Sequence, residues 1–152
     1  MNHIYRILDT LKETLRNTVG VNTVTFGDVS DVDLDKTTIF PLSHIVLGDA
    51  RHLKNIIEFD IKVIMADLVD VNNKQTEGDD FYGNNNLQDA LNTQFEVGNR
   101  LVSLMMRGDL FKDYYQVTTT PTLTPFIDRF SNVLAGYELN VTIQVKNGIS
   151  IC

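Results

Sequence analysis

"IIEFDIKVIMADLVDV", residues 56–71, is the stretch on which the fold reading turns. Ile57, Phe59, Ile61, Val63 and Met65 alternate with Glu58, Asp60 and Lys62. That period of two puts the apolar set on one face of a strand and the charged set on the other. After Met65 the parity changes to Ala66 and Leu68. A bulge near that point is the preferred reading, and burial of both faces is the alternative.

On the N-terminal side, Ile4, Ile7, Leu8, Leu11 and Leu15 recur at helical spacing, with Arg6, Lys12, Glu13 and Arg16 on the other face. Gly20 is the expected stop. "VNTVTF" predicts a short strand, an acidic loop follows, and Pro41 opens the extended segment "LSHIVLGDARHL". On the C-terminal side, "NNKQTEGDDFYGNNN", residues 72–86, predicts a long exposed loop whose Asn85 or Asn86 caps a second helix. Leu87, Leu91, Phe95, Leu101, Val102 and Met105 form the expected core stripe of that helix. Gly98 beside it suggests a close backbone approach, and Gly108 ends the helix. "QVTTTPTLT" predicts a strand placed at a sheet edge or kink by Pro121, and "YELNVTIQV" predicts a second one. "PFIDRFSNVLAG" between them reads as an irregular apolar segment. The order α-β-β-β-α-β-β describes one α+β domain over residues 1–152, a mostly antiparallel sheet flanked by two main helices.

Composition narrows the function. Of the 152 residues, 20 are acidic and 13 basic, giving a net charge of −7 that opposes binding to phosphate backbones or anionic membranes. No run reaches the roughly 18 apolar residues of a membrane span, and the first residues lack a signal-peptide core. The expectation is a soluble chain made in a cytoplasm. Cys152 is the sole cysteine, which excludes an internal disulfide. At a chain terminus it makes a poor nucleophile.

The acidic loop is the first candidate site. Asp28, Asp31, Asp33 and Asp35 sit close together, but the residue where a calcium loop from Asp31 needs Gly is Lys36, and its last ligand position is Leu42. A solvated acidic turn accounts for the same residues. His44 and His52 lie in one extended segment, about 27 Å apart at strand rise. They share a metal only if the chain doubles back near Gly48. No nucleophile elbow, P-loop or dinucleotide turn occurs. "RGD" at Arg107–Asp109 is explained by Gly108 as a helix stop, and "NVT" at Asn140 by a strand. Phe111, Tyr114 and Tyr115 form an aromatic cluster that either packs under a loop or anchors an interface.

Three stretches together, "TVTFGDVSDVDLDKTTIFPLSHIVL", "LQDALNTQFEVGNRLVSLMMRGDLF" and "PFIDRFSNVLAGYELNVTIQV", resemble small neck proteins of tailed bacteriophages. These are of the tail-terminator and tail-completion kind, including ring proteins of crAss-like phages. The resemblance covers nearly the whole chain and rests on patterns of moderate specificity, with no catalytic signature. It implies a tail-terminator-like fold with no cofactor and no catalytic residues, and no metal ligand set is assigned. It implies a closed ring of six or twelve copies at the head–tail junction of the virion, beside portal, connector or tail-tube proteins, with DNA passing unbound and no membrane partner. The host would be a bacterium. Asp28, Asp31, Asp33, Asp35, Asp79, Asp80, Phe81 and Tyr82 are then candidates for lining the channel or meeting adjacent rings. Phe111, Tyr114, Tyr115, Asp128 and Arg129 are candidates for subunit contact. The competing readings are a soluble ligand-binding or regulatory domain, another tail or connector protein, and a hydrolase whose acids converge on folding.

Overall fold

The computed structural model describes residues 2–28, 37–69, 85–107, 115–129 and 133–148. Within them α1 is His3–Arg16, β1 Thr23–Phe26, β2 Leu42–Leu53, β3 Ile56–Leu68, α2 Asn85–Met106, β4 Tyr115–Val117, β5 Thr122–Arg129 and β6 Val133–Lys146. The class is α+β, and the α-β-β-β-α-β-β order holds, with the penultimate extended region divided into β4 and β5. Pro121 lies in that division. The residues on either side both pair antiparallel with β6, Val117 opposite Ile143 and Thr122 opposite Asn140. Four residues, 118–121, thus oppose two, which is the kink that the proline predicts.

The sheet order is β1-β2-β3-β6-β4, with β5 in line with β4 on the far side of β6. All pairings are antiparallel except β1 with β2. A parallel neighbour needs a long crossover, and residues 27–41, the acidic stretch, supply it. Asn22 and Thr23 both donate backbone N–H to Pro41 O, 2.8 and 3.2 Å, tying the return of that crossover to its start.

The alternation in β3 holds as expected. Ile57, Phe59, Ile61, Val63 and Met65 are buried, facing Leu139, Val141, Ile143 and Val145 of β6 in one core with Ile7, Leu11 and Leu15 of α1. The parity change after Met65 is not a bulge. β3 stays in register with β6 without a break from Ile56↔Lys146 to Leu68↔Leu134. Ala66 is buried because a second cluster, Phe40, Leu42, Ala66 and Leu134 with Ile39, Leu68 and Phe126 against it, covers the opposite face at that end. The 3₁₀ turn Thr37–Ile39 of the crossover leads into that cluster. The register shift of the sheet lies instead on β2, between Leu47 and Ala50.

Further expectations change. "PFIDRFSNVLAG" is largely strand, Pro125–Arg129 completing β5 and Val133–Gly136 opening β6. Gly136 there, not Gly98, is the close backbone approach, since a Cβ on it would lie 1.8 Å from Met65 O. At Gly98 a Cβ would meet side chains instead, Leu123 at 2.8 Å and Met65 at 3.1 Å. In α2 the buried stripe is rotated, with Ala90, Gln94, Val97, Leu101 and Met105 inside and Phe95 37% exposed. Ile4 of α1 is likewise exposed. The expected stop at Gly20 (φ +92°) follows α1 by four positions.

Candidate functional site

The helix-free face of the sheet follows from the same alternation. Its residues are the charged ones of β3 and their partners on β2 and β6. Arg51 Nη2 donates to Asp60 Oδ1 at 2.8 Å, its Nη1 also binds Asp60, and its Nε reaches Glu58 Oε2 at 3.2 Å. Thr142 Oγ1 donates to Asp60 Oδ1 (2.8 Å) and Gln144 Nε2 to Glu58 Oε1 (2.6 Å). Lys62 Nζ lies 3.1 Å from Glu138 Oε1, which also accepts from Asn140 Nδ2. The Arg51 guanidinium holds the Asp60 carboxyl below its ordinary range, with burial opposing it and the Thr142 hydroxyl assisting. This lattice of exposed pairs satisfies its own members. Beside it the β4–β5 kink opens a cleft of about 390 Å³ lined by Asp60, Lys62, Thr119, Thr120, Asn140 and Thr142.

His44 projects from β2 on this face and is 2% exposed. Its Nε2 lies 3.0 Å from Gly27 O and its Nδ1 2.7 Å from Thr25 Oγ1. A carbonyl only accepts, so Nε2 carries the proton and Nδ1 accepts from the threonine hydroxyl. Both nitrogens are engaged, and His44 fastens the start of the crossover to the sheet. β2 runs through Gly48 without doubling back, and His52 is exposed toward its far end. The two histidines do not meet. Among the described residues no group of three or more metal-ligating side chains converges.

The other surface of note is apolar. Leu91, Phe95, Val102 and Met106 lie along one flank of α2, partly exposed at the first and third and 37% and 59% exposed at Phe95 and Met106. Phe95 meets Tyr137 of β6 edge to face, ring centroids 5.4 Å apart. Tyr137 stands opposite Pro125 of β5, and Ile127, two residues on, is 50% exposed. Leu123 on the same strand reaches the α2 backbone at Gly98. An apolar strip therefore runs where α2 meets the β5 rim.

Of the residues expected at a site, Asp28 is exposed and lines a second cleft with Phe26, Gly27, Val46 and Leu47. Asp31, Asp33, Asp35, Asp79, Asp80, Phe81, Tyr82, Phe111 and Tyr114 lie outside the described residues. Asp128 and Arg129 end β5, where their backbone alone is described. Tyr115 is a correction. It begins β4, is buried at 6% exposure and belongs to the main core, so it packs within the subunit. The strip residues were missed because Leu91, Phe95 and Val102 were assigned to the core stripe of α2. From Val97 round to Met106 the apolar arc spans about 180°, wider than one buried face requires. That excess was a readable sign of an apolar flank beyond the buried face.

No protein-family model matches the sequence, and no curated protein matches it. No helix among the described residues is long and apolar enough to cross a membrane.

Proposed function

We propose that this chain is a structural ring protein of the neck of a tailed bacteriophage, joining connector to tail around a channel for DNA. The observation that carries the reading is the apolar strip at α2 and β5. Phe95, beside Tyr137, and Ile127 on the neighbouring rim stay exposed in the single subunit, and a contiguous exposed apolar strip marks a surface meant to be covered. Self-assembly into a closed ring covers such a strip on every copy at once. The resemblance supplies the location and the shared α+β architecture supports it. An acidic subunit suits the task, because a ring multiplies the charge of −7 and repels passing phosphates instead of holding them. Asp28 and its acidic neighbours then serve the channel or the next ring.

The test is location. The chain is tagged in the particles that carry it, and the tag is imaged by negative-stain microscopy. Label at the head–tail junction is the expected result. Label on the capsid, along the tail or absent from the particle overturns the assignment.

A further inference from the structure

Backbone geometry identifies which groups line each rim of the sheet. Thr118 N donates to Thr142 O (3.2 Å), while Val133 O and Asn147 N bond on the β3 side at 2.9 Å each. Even-numbered residues of β6 therefore turn their backbone groups toward β4 and β5. Their partners Thr122, Thr124, Phe126 and Asp128 face inward. Leu123, Pro125, Ile127 and Arg129 are left with backbone groups on the outer rim. On β1, Thr23 N bonds Pro41 O and Gly27 N bonds Ile45 O, both at 3.2 Å, so Val24 and Phe26 face outward. Among the described residues β1 pairs only with β2, and β5 only with β6.

The two rims fit each other. Resting on the ring reading, we infer that β1 of one copy pairs antiparallel with β5 of the next, Phe26 opposite Ile127 and Val24 opposite Arg129. Pairings within the sheet make β1 and β5 run in opposite directions, as antiparallel addition of a like-oriented copy requires. Phe26 and Ile127 carry their side chains on the helix-covered face, by register with Ile45 and Ala135. Exposed Phe26 (48%) and Ile127 (50%) thereby cover one another. Pro125 has no N–H to give, which confines the ladder to the Ile127–Arg129 end. A two-fold β5–β5 contact is the competing geometry, and it brings Pro125 into the ladder in all but the shortest registers.

Contact area favours a ring over a pair. The four residues of β1 at ~3.4 Å each and two layers ~10 Å apart offer roughly 300 Å² per partner. Stable pairs bury about 800 Å² per partner. One contact is thin, and a closed ring in which each copy uses both rims doubles it.

The experiment uses two full-length chains, both Cys152→Ser, one with Phe26→Cys and one with Ile127→Cys. Both sites are exposed, and circular dichroism checks the fold of each. Bonded antiparallel partners sit ~5.5 Å apart at Cα, inside the range a disulfide spans. The chains are mixed at high concentration, oxidised and resolved by non-reducing gel, with sedimentation velocity run in parallel. The expected product is the mixed 26–127 dimer, about tenfold over either self-product, the margin that ~1.4 kcal/mol of preference gives. A chain carrying both cysteines is expected to give a ladder ending at six or twelve. Oligomers without the mixed product, or with 127–127 dimers dominant, overturn the edge pairing and leave the ring reading in place. Absence of any oligomer overturns both.

Discussion

The two faces of the sheet are made by the same strands and obey different energetics. On the helix side, β3 and β6 contribute Val63, Met65, Leu139 and Ile143, all fully buried. On the open side the same strands contribute Glu58, Asp60, Lys62, Glu138 and Thr142, joined in pairs that water reaches. Alternation decides which residue goes where, and burial decides what each is worth. A methylene removed from the first face leaves a void, whereas a charge removed from the second leaves a solvated neighbour.

Mutation can break that contrast, and the effects should fall in order. Ile143→Ala on the helix side should cost about 2–5 kcal/mol in urea unfolding, the transfer and cavity cost of a closely packed site. Gln94→Met should raise stability by about 1–3 kcal/mol, because Gln94 is fully buried and neither side-chain polar atom finds a partner among the described residues. Arg51→Ala, on the open face, should cost at most about 1 kcal/mol and lose most of that effect in high salt. If Arg51→Ala proves as costly as Ile143→Ala, the ranking of the faces is wrong.

Acid should sharpen the contrast by sign. Asp60 sits below its ordinary pKa, so its contribution is present above the unfolded value near ~3.9 and disappears as pH falls through the folded value. Asp67 is the reverse. Burial pushes its carboxyl up, opposed in part by the N–H of Leu68 at 2.8 Å. Its contribution is full below the unfolded value and is lost as pH rises through the folded one. Asp67→Asn should therefore raise Tm slightly at neutral pH, and the gain should vanish below about pH 4. Thermal melts of both chains across pH 3–8 check this; a gain that persists in acid contradicts the burial account.

How much of this was readable beforehand depends on the kind of signal. The β3 face, the Pro121 kink and the α1 stripe from Ile7 to Leu15 follow from local rules of period and backbone geometry, and they hold. Long-range facts were not legible. Nothing local says that Phe40 and Phe126 come from distant parts of the chain to bury Ala66, so the parity change resembled a bulge. The rotation of α2 was hidden because Gln94 is polar, and a polar residue does not advertise burial. Tyr115 was equally ambiguous, since an aromatic serves a core and an interface alike. Of the candidate site, the acidic crossover was visible as composition. The strip at α2 and β5 existed only once Phe95 and Ile127 were brought onto one edge.

That strip carries the central claim, and its most direct test is the mass of the assembled protein. Sedimentation velocity is run on the wild-type chain from dilute to high concentration, beside a Phe95→Ser/Ile127→Ser variant. The prediction is a shift from monomer to one closed species of six or twelve copies, with few intermediates, which the variant fails to form. A wild-type chain that stays monomeric at every concentration, or a variant that assembles equally well, contradicts it.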